Sequence, residues 1–161
     1  MNQAVWVIDT SALIWAKRIV AAANQWRLFR RLETMVEEGA LFFPKQVTAE
    51  LNQERHIDTP EAWALAAGPK VTHAYDPAIG FVQQTMAVAG DVVDPDAEDD
   101  PGDPYVLAQA LELTSMGFEV CVVTEDVVDH VPLKISMATA CGRLSLRHCQ
   151  LLQFLADIGF R

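Results

Sequence analysis

Four acids far apart in the chain carry the chemistry this sequence could do: Asp9 in VWVIDTSAL, Glu50 in PKQVTAEL, Asp103 in GDPYVLAQAL and Asp126 in VVTEDVV. Asp9, Asp103 and Asp126 fall where a strand or loop hands over to a helix. A carboxylate at the C-terminal end of a buried strand projects into the crevice where open parallel sheets hold their ligands, so two such strands can aim acids at one point. Two carboxylates about 4 Å apart repel by up to about 4 kcal/mol at an effective dielectric of about 20, so a cluster of three or four calls for a cation. Hard ions such as Mg²⁺ and Mn²⁺ take oxygen ligands and commonly combine a few carboxylates with the phosphates of a substrate. A bound ion lowers the pKa of a water, and a pair of ions also stabilises the leaving oxygen of an in-line displacement at phosphorus. Phosphodiester hydrolysis is therefore the expected reaction. It needs no covalent nucleophile, in keeping with a sequence that has no GxSxG and no Cys-His pairing.

The elements that must position these acids alternate between strand and helix. Val5 to Ile8 is a short apolar run rich in β-branched residues, and Asp-Thr-Ser after it can cap a helix carrying Ala12, Leu13, Trp15 and Ala16. Leu28, Leu32, Met35 and Val36 are spaced for a helix over 25–38, stopped by Gly39; Leu41 to Phe43 reads as a strand ended by Pro44. Helices are predicted over 45–54, 61–67 and 78–89, and a loop over the acidic, Pro- and Gly-bearing stretch 91–103. Pro104 at a first helical position starts a helix to about Ser115, with Asp103 placed to cap it, and Gly117 leads into a strand from Glu119 to Val123. Beyond it, Lys134 and Ile135 are candidates for extended chain. Ala138 to Cys141 reads as a helical turn, 144–146 as a last strand and 149–158 as the final helix. With no internal repeat and no linker, residues 1–161 read as one α/β domain, a central parallel sheet of four or five short strands flanked by helices.

Composition bounds the function. The chain has 161 residues, 51% of them apolar and 21% charged, and its apolar stretches are far short of the ~20 residues of a membrane span. An N-terminus without a basic start and with an acid at position 9 predicts a cytoplasmic protein rather than an exported one. Three cysteines without a CxxC pair predict free thiols, and His56, His73, His130 and His148 show no zinc-binding spacing. The formal charge is −10, and Asp91, Asp94, Asp96, Glu98, Asp99, Asp100 and Asp103 account for seven of those charges. Such an acidic chain binds polyanions only if charge is segregated or metal neutralises the contact region. Arg27, Arg30 and Arg31, with Lys17, Arg18 and Lys45, are candidate contacts to a nucleic-acid backbone. Trp26 and Trp63 are candidates for stacking on bases, while Trp6 and Trp15 read as core.

The order and spacing of these segments resemble the PIN-domain nucleases, in particular the branch containing toxins of VapC type and their uncharacterised PIN-like relatives. The resemblance runs from the opening strand with Asp9-Thr10-Ser11, through Glu50 and DPYVLAQAL, to Thr124-Glu125-Asp126 and the tail LKISMATACGRLSLRHCQLLQFL. It implies a PIN-like fold and a metal site made by Asp9, Glu50, Asp103 and Asp126, with Thr10, Ser11 or Thr124 hydrogen-bonded to a carboxylate or to metal-bound water. It also implies Mg²⁺- or Mn²⁺-dependent cleavage of RNA, often as the toxin of a toxin–antitoxin pair whose antitoxin protein blocks the cleft. Adjacent acids leave Glu125 open as the alternative to Asp126, and Asp99 or Asp100 as alternatives to Asp103.

Two other functions stay in view. One is a non-catalytic binding module on the same fold, which the acidic charge favours. The other is a receiver- or phosphatase-like phosphoryl-transfer domain using Asp9, Thr124 and Lys134, although no second acid accompanies Asp9. The apolar face of Leu28, Leu32 and Met35 serves either core packing or a homodimer.

Overall fold

Val5, Val7 and Ile8 keep at most 1% of their surface exposed, as a strand covered on both faces must. They belong to β1 (Ala4–Ile8), an inner strand of a sheet whose four strands all run parallel. The others are β2 (Leu41–Phe42), β3 (Glu119–Val123) and β4 (Arg147–Cys149), in the order β2-β1-β3-β4. The computed structural model describes residues 2–53, 58–71, 75–98 and 101–161.

Eight helices among the described residues flank the sheet. The first two, α1 (Thr10–Ile19) and α2 (Ala22–Glu37), lead from β1 to β2. Then come α3 (Lys45–Leu51), α4 (Thr59–Ala67), α5 (Ile79–Ala89) and α6 (Asp103–Ser115) before β3. The chain closes with α7 (Met137–Arg143), β4 and α8 (Leu151–Asp157). From β1 the chain adds a strand on one side, then returns to the other side for β3 and β4. The β1/β3 boundary is therefore the topological switch point, where the carboxyl ends of strands leave a crevice.

Packing sets the positions of the helices that matter for this crevice. Val106, Leu107, Ala110 and Leu113 bury α6, which lies across β1 and β3. The shorter α3 is held by Val47 and Leu51, four residues apart on one face and both at or below 1% exposure, which leaves Glu50 at the border of the core. Beneath α3 and α4, Phe43 meets Trp63 at 5.0 Å between ring centroids and Tyr75 edge-on at 6.0 Å. Trp6 packs edge-on against Phe154 of α8.

Several expectations shift. The last strand is 147–149 rather than 144–146, because α7 extends to Arg143 and Ser145 takes a positive φ of 56° in the turn that follows. Lys134 and Ile135 form no strand; Lys134 makes one antiparallel bridge with His130. The final helix starts at Leu151, with Gln150 at its N-cap. Trp15 is 37% exposed, on the outer face of α1, where the Arg18 guanidinium lies over its ring, and so is not core. Trp63, conversely, is buried and has no face for a base. Leu28, Leu32 and Met35 are spent in the core, so that face offers no surface to a second copy. His56, His73, Asp99 and Asp100 lie outside the described residues.

Candidate functional site

Asp9 follows Ile8 at the end of β1, and Thr124 follows Val123 at the end of β3. Ile8 and Val123 are register partners, so the two residues leave the sheet side by side. The ladder continues through them: the Asp9 amide donates to the Val123 carbonyl at 3.1 Å and the Thr124 amide to the Cys149 carbonyl at 3.0 Å. Asp9 caps α1, its Oδ1 accepting from the Ala12 amide at 2.9 Å and from the Ser11 hydroxyl at 2.7 Å. Its Oδ2 accepts from the Thr124 hydroxyl. These hydroxyls also hold the next turn, because Ser11 Oγ accepts from the Glu125 amide at 3.0 Å and Thr124 Oγ1 from the Asp126 amide at 3.1 Å. Asp9 is 2% exposed. Burial pushes its pKa up to about 7 against the pull of three hydrogen bonds, and the charge of Asp103 adds to the rise.

Of the other three acids, Asp103 and Asp126 meet across Lys134. Asp103 lies in the first turn of α6 rather than at its cap, which falls on Gly102, so its carboxylate is not consumed in capping and benefits from the helix dipole. Its Oδ2 lies 3.4 Å from Lys134 Nζ, and the same ammonium lies 3.4 Å from Asp126 Oδ2. Burial raises the Asp103 pKa; Lys134 pulls it down and Asp126 raises it. Burial works against the Lys134 ammonium, yet Asp103 and Asp126 outweigh it and hold its pKa above the ordinary lysine value. Asp126 has no helix directly after it; across space, its Oδ2 accepts from the Met137 amide at the start of α7, at 3.2 Å.

Glu50 comes in from α3. A β-carbon at position 102 would overlap Glu50 Oε1, so glycine there lets the carboxylate lie against the α6 N-terminus. Burial first, then the charge of Asp103, raises the Glu50 pKa, with the Thr10 hydroxyl and the Gly102 amide offsetting part of it. Oε1 is nonetheless buried without a well-formed hydrogen bond among the described residues.

The adjacent acids at 125 and 126 have different surroundings. Glu125 turns to α8, where Oε1 accepts from the Leu151 amide at 2.7 Å and Oε2 from the Gln150 side chain at 3.1 Å. Asp126 faces Asp103 across Lys134. Three residues of this cluster escaped sequence reasoning in their roles here. Lys134 sits eight residues past Asp126 in a segment with no periodic pattern, and Gly102 reads as one more loop glycine. Glu125 as a cap for α8 follows only from the β3/β4 pairing.

Most basic side chains are engaged elsewhere. Lys17 pairs with Asp58, Lys45 with Asp76 at 2.6 Å, Lys70 with Glu33 and Glu37 at 2.7 and 2.8 Å, and Arg143 with Asp91 at 2.6 Å. Arg30 lies over the exposed Trp26 ring at 5.2 Å. Arg27 and Arg31 line a groove with Arg161 of about 370 Å³, and Arg27 donates to the Arg161 carbonyl. All three cysteines are free; Cys141 is buried, which pushes its thiol pKa up to about 12.

As the side chains stand, no three acids, histidines or cysteines among the described residues close around a point that would hold a metal ion. The donors themselves suit a hard cation. They are carboxylate oxygens, Glu50 Oε1 is buried with a free lone pair, and an ammonium is already drawn between Asp103 and Asp126. No helix among the described residues is long and apolar enough to cross a membrane. No curated protein matches the chain. A family model does match it over residues 6–161, nearly its whole length, and the chain belongs to that family, described as a domain of unknown function, DUF4411.

Proposed function

We propose that this protein is a PIN-like, Mg²⁺- or Mn²⁺-dependent endoribonuclease acting at the crevice between β1 and β3. The observation that carries this reading is geometric: Asp103 and Asp126 share the Lys134 ammonium at 3.4 Å, Glu50 Oε1 lies against Gly102 beside Asp103, and Asp9 leaves β1 at the end paired with β3. Like charges gathered at a switch point are costly unless a cation is recruited there.

Asp9, Glu50, Asp103 and Asp126 would hold the ion, which when bound supplies an activated water and charge stabilisation for in-line phosphodiester hydrolysis. Ser11 and Thr124 fix the Asp9 carboxylate so that it need not reorganise during the reaction. Gly102 admits Glu50 to the α6 N-terminus. With Lys17, Arg31, Lys45, Lys70 and Arg143 paired to acids, the RNA backbone gains less from lysine and arginine, and its attraction to the crevice rests on metal. The motif order that resembles VapC-type toxins makes a type II toxin, blocked by a cognate antitoxin, the biological form of this activity.

The test is cleavage of a mixed-sequence RNA by purified protein with Mg²⁺ or Mn²⁺ and with EDTA. Metal-dependent cleavage is expected, and cleavage unchanged in EDTA would refute the reading. A non-catalytic binding module has one structural observation in its favour: Val128, Val131 and Leu133 are exposed in the segment that joins Asp126 to Lys134. Metal binding without degradation of RNA over a range of divalent ions would favour it. Asp9 as an acceptor of phosphoryl groups is disfavoured by its burial and three hydrogen bonds, and intact mass after incubation with acetyl phosphate should show no adduct.

A further inference from the structure

We infer that Lys134 is a built-in cation which the divalent metal must displace, so that this side chain sets the metal concentration at which the site loads. The inference rests on the metal reading above and adds a residue to it.

The geometry is that of a competitor. One ammonium stands 3.4 Å from a carboxylate oxygen of Asp103 and 3.4 Å from one of Asp126, two acids brought together from α6 and the end of β3. Both contacts are longer than the 2.7–2.9 Å of a well-formed charge-assisted hydrogen bond, so the ammonium is shared between the acids rather than locked to either. A divalent ion seeks the same oxygens with twice the charge, and the two cations cannot occupy one place.

The segment that bears Lys134 suits such an exchange. Its backbone is pinned: the His130 amide donates to the Lys134 carbonyl at 2.9 Å, the Lys134 amide to the His130 carbonyl at 3.1 Å, and the Ile135 amide to the Asp91 carbonyl at 2.9 Å. Asp129 braces the same turn, accepting from the Ser136 amide at 2.8 Å and the Thr139 hydroxyl at 2.7 Å. The side chain is a flexible stem, 24% exposed, that can swing toward solvent while the backbone stays in place. With the ammonium in position, Asp103 and Asp126 are compensated without metal. With it withdrawn, they face each other and Glu50 as bare carboxylates, the state that binds a divalent ion most strongly.

The decisive measurement is Mn²⁺ affinity by titration calorimetry for the wild type, Lys134→Gln and Lys134→Arg. Lys134→Gln should bind Mn²⁺ on the order of tenfold more tightly or better, a difference of about 1.4 kcal/mol, and Lys134→Arg should stay near the wild type. If the wild type binds Mn²⁺ and Lys134→Gln binds it equally or more weakly, the inference is overturned while the metal reading stands. If neither binds, both fall. Should Lys134→Gln fail to fold, the wild type decides through NMR of its lysine side chains, of which the chain has four. On addition of Mg²⁺ the Lys134 ε-carbon signal should move while those of Lys17, Lys45 and Lys70 do not. A Lys134 signal that stays fixed as Mg²⁺ binds would overturn the inference.

Discussion

Asp9 and Asp103 bring the same functional group to the same crevice, yet they are held in opposite ways. Asp9 is 2% exposed and accepts from Ser11, Ala12 and Thr124, donors fixed by the cap of α1 and by the register of β1 against β3. The Asp103 side chain is a quarter exposed, and the ammonium of Lys134 approaches it at 3.4 Å from the end of a flexible stem. Burial raises the pKa of both, that of Asp9 to about 7. One half of the site is therefore built by the sheet and cannot relax. The other half is balanced by a cation that can leave. A rigid anchor facing an adjustable pair is a sensible division for a site that must accept an ion and then a substrate phosphate.

The comparison breaks most severely at the rigid half. Asp9→Asn should lower metal-dependent RNA cleavage by roughly a thousandfold, equivalent to about 4 kcal/mol of barrier. The fold should survive, and its stability should change in a direction that a merely structural aspartate would not show. The folded state holds the Asp9 proton up to about pH 7, against the ordinary value of 3.8, so it binds more protons than the unfolded chain between those values. Stability from this group is thus greatest at low pH and is lost as pH rises through 7. Asparagine does not titrate, so denaturation of Asp9→Asn should show a gain over the wild type at about pH 8 that disappears by about pH 4.

Thr124→Val tests whether the hydroxyl frame matters as much as the acid it holds. It removes the donor to Asp9 Oδ2 and the acceptor for the Asp126 amide in one step. A loss of about 10- to 100-fold in Mn²⁺ affinity is expected, the range typical of groups that orient a metal ligand. The Asp9 pKa should rise further, because the donor that lowers it most is gone.

A smaller effect follows from the same proton. Metal binding requires ionised carboxylates, so the wild type should release a proton from Asp9 on binding. Affinity for Mn²⁺ should then climb about tenfold per pH unit below about 7 and level off above it. A profile already flat at pH 6 would place Asp9 with the ordinary acids and erase the distinction between the two halves.

Much of the frame was legible in the sequence because it is local. The apolar run before Asp9, the helix spacing around Leu32, the Pro104 start of α6 and the strand 119–123 each depend on neighbours within one element. The misses are tertiary. Trp15 reads as core from its spacing, but its face of α1 meets solvent. Strand 147–149 carries exposed Arg147 and His148, so no apolar run marks it; pairing with β3 alone makes it a strand. Lys134 reaches Asp103 across 31 residues of sequence, and nothing local signals that contact.

Glu125 gives the mildest prediction and the sharpest control, because it is an acid in the same motif that does a different job. Its carboxylate accepts from the Leu151 amide at the start of α8 and from Gln150 beside it, and no contact ties it to Lys134 or Asp103. Glu125→Ala should therefore cost about 1 kcal/mol of stability, the usual effect of losing a charged helix cap, measurable by denaturant titration. Its Mn²⁺ affinity should stay within about twofold of the wild type, since the Glu125 amide still donates to Ser11 and so keeps the turn in place. Weaker metal binding on the scale of Thr124→Val would instead mean that the acid of the Thr-Glu-Asp turn which meets the ion is the one now facing α8, and the adjustable half of the site would have to be redrawn around it.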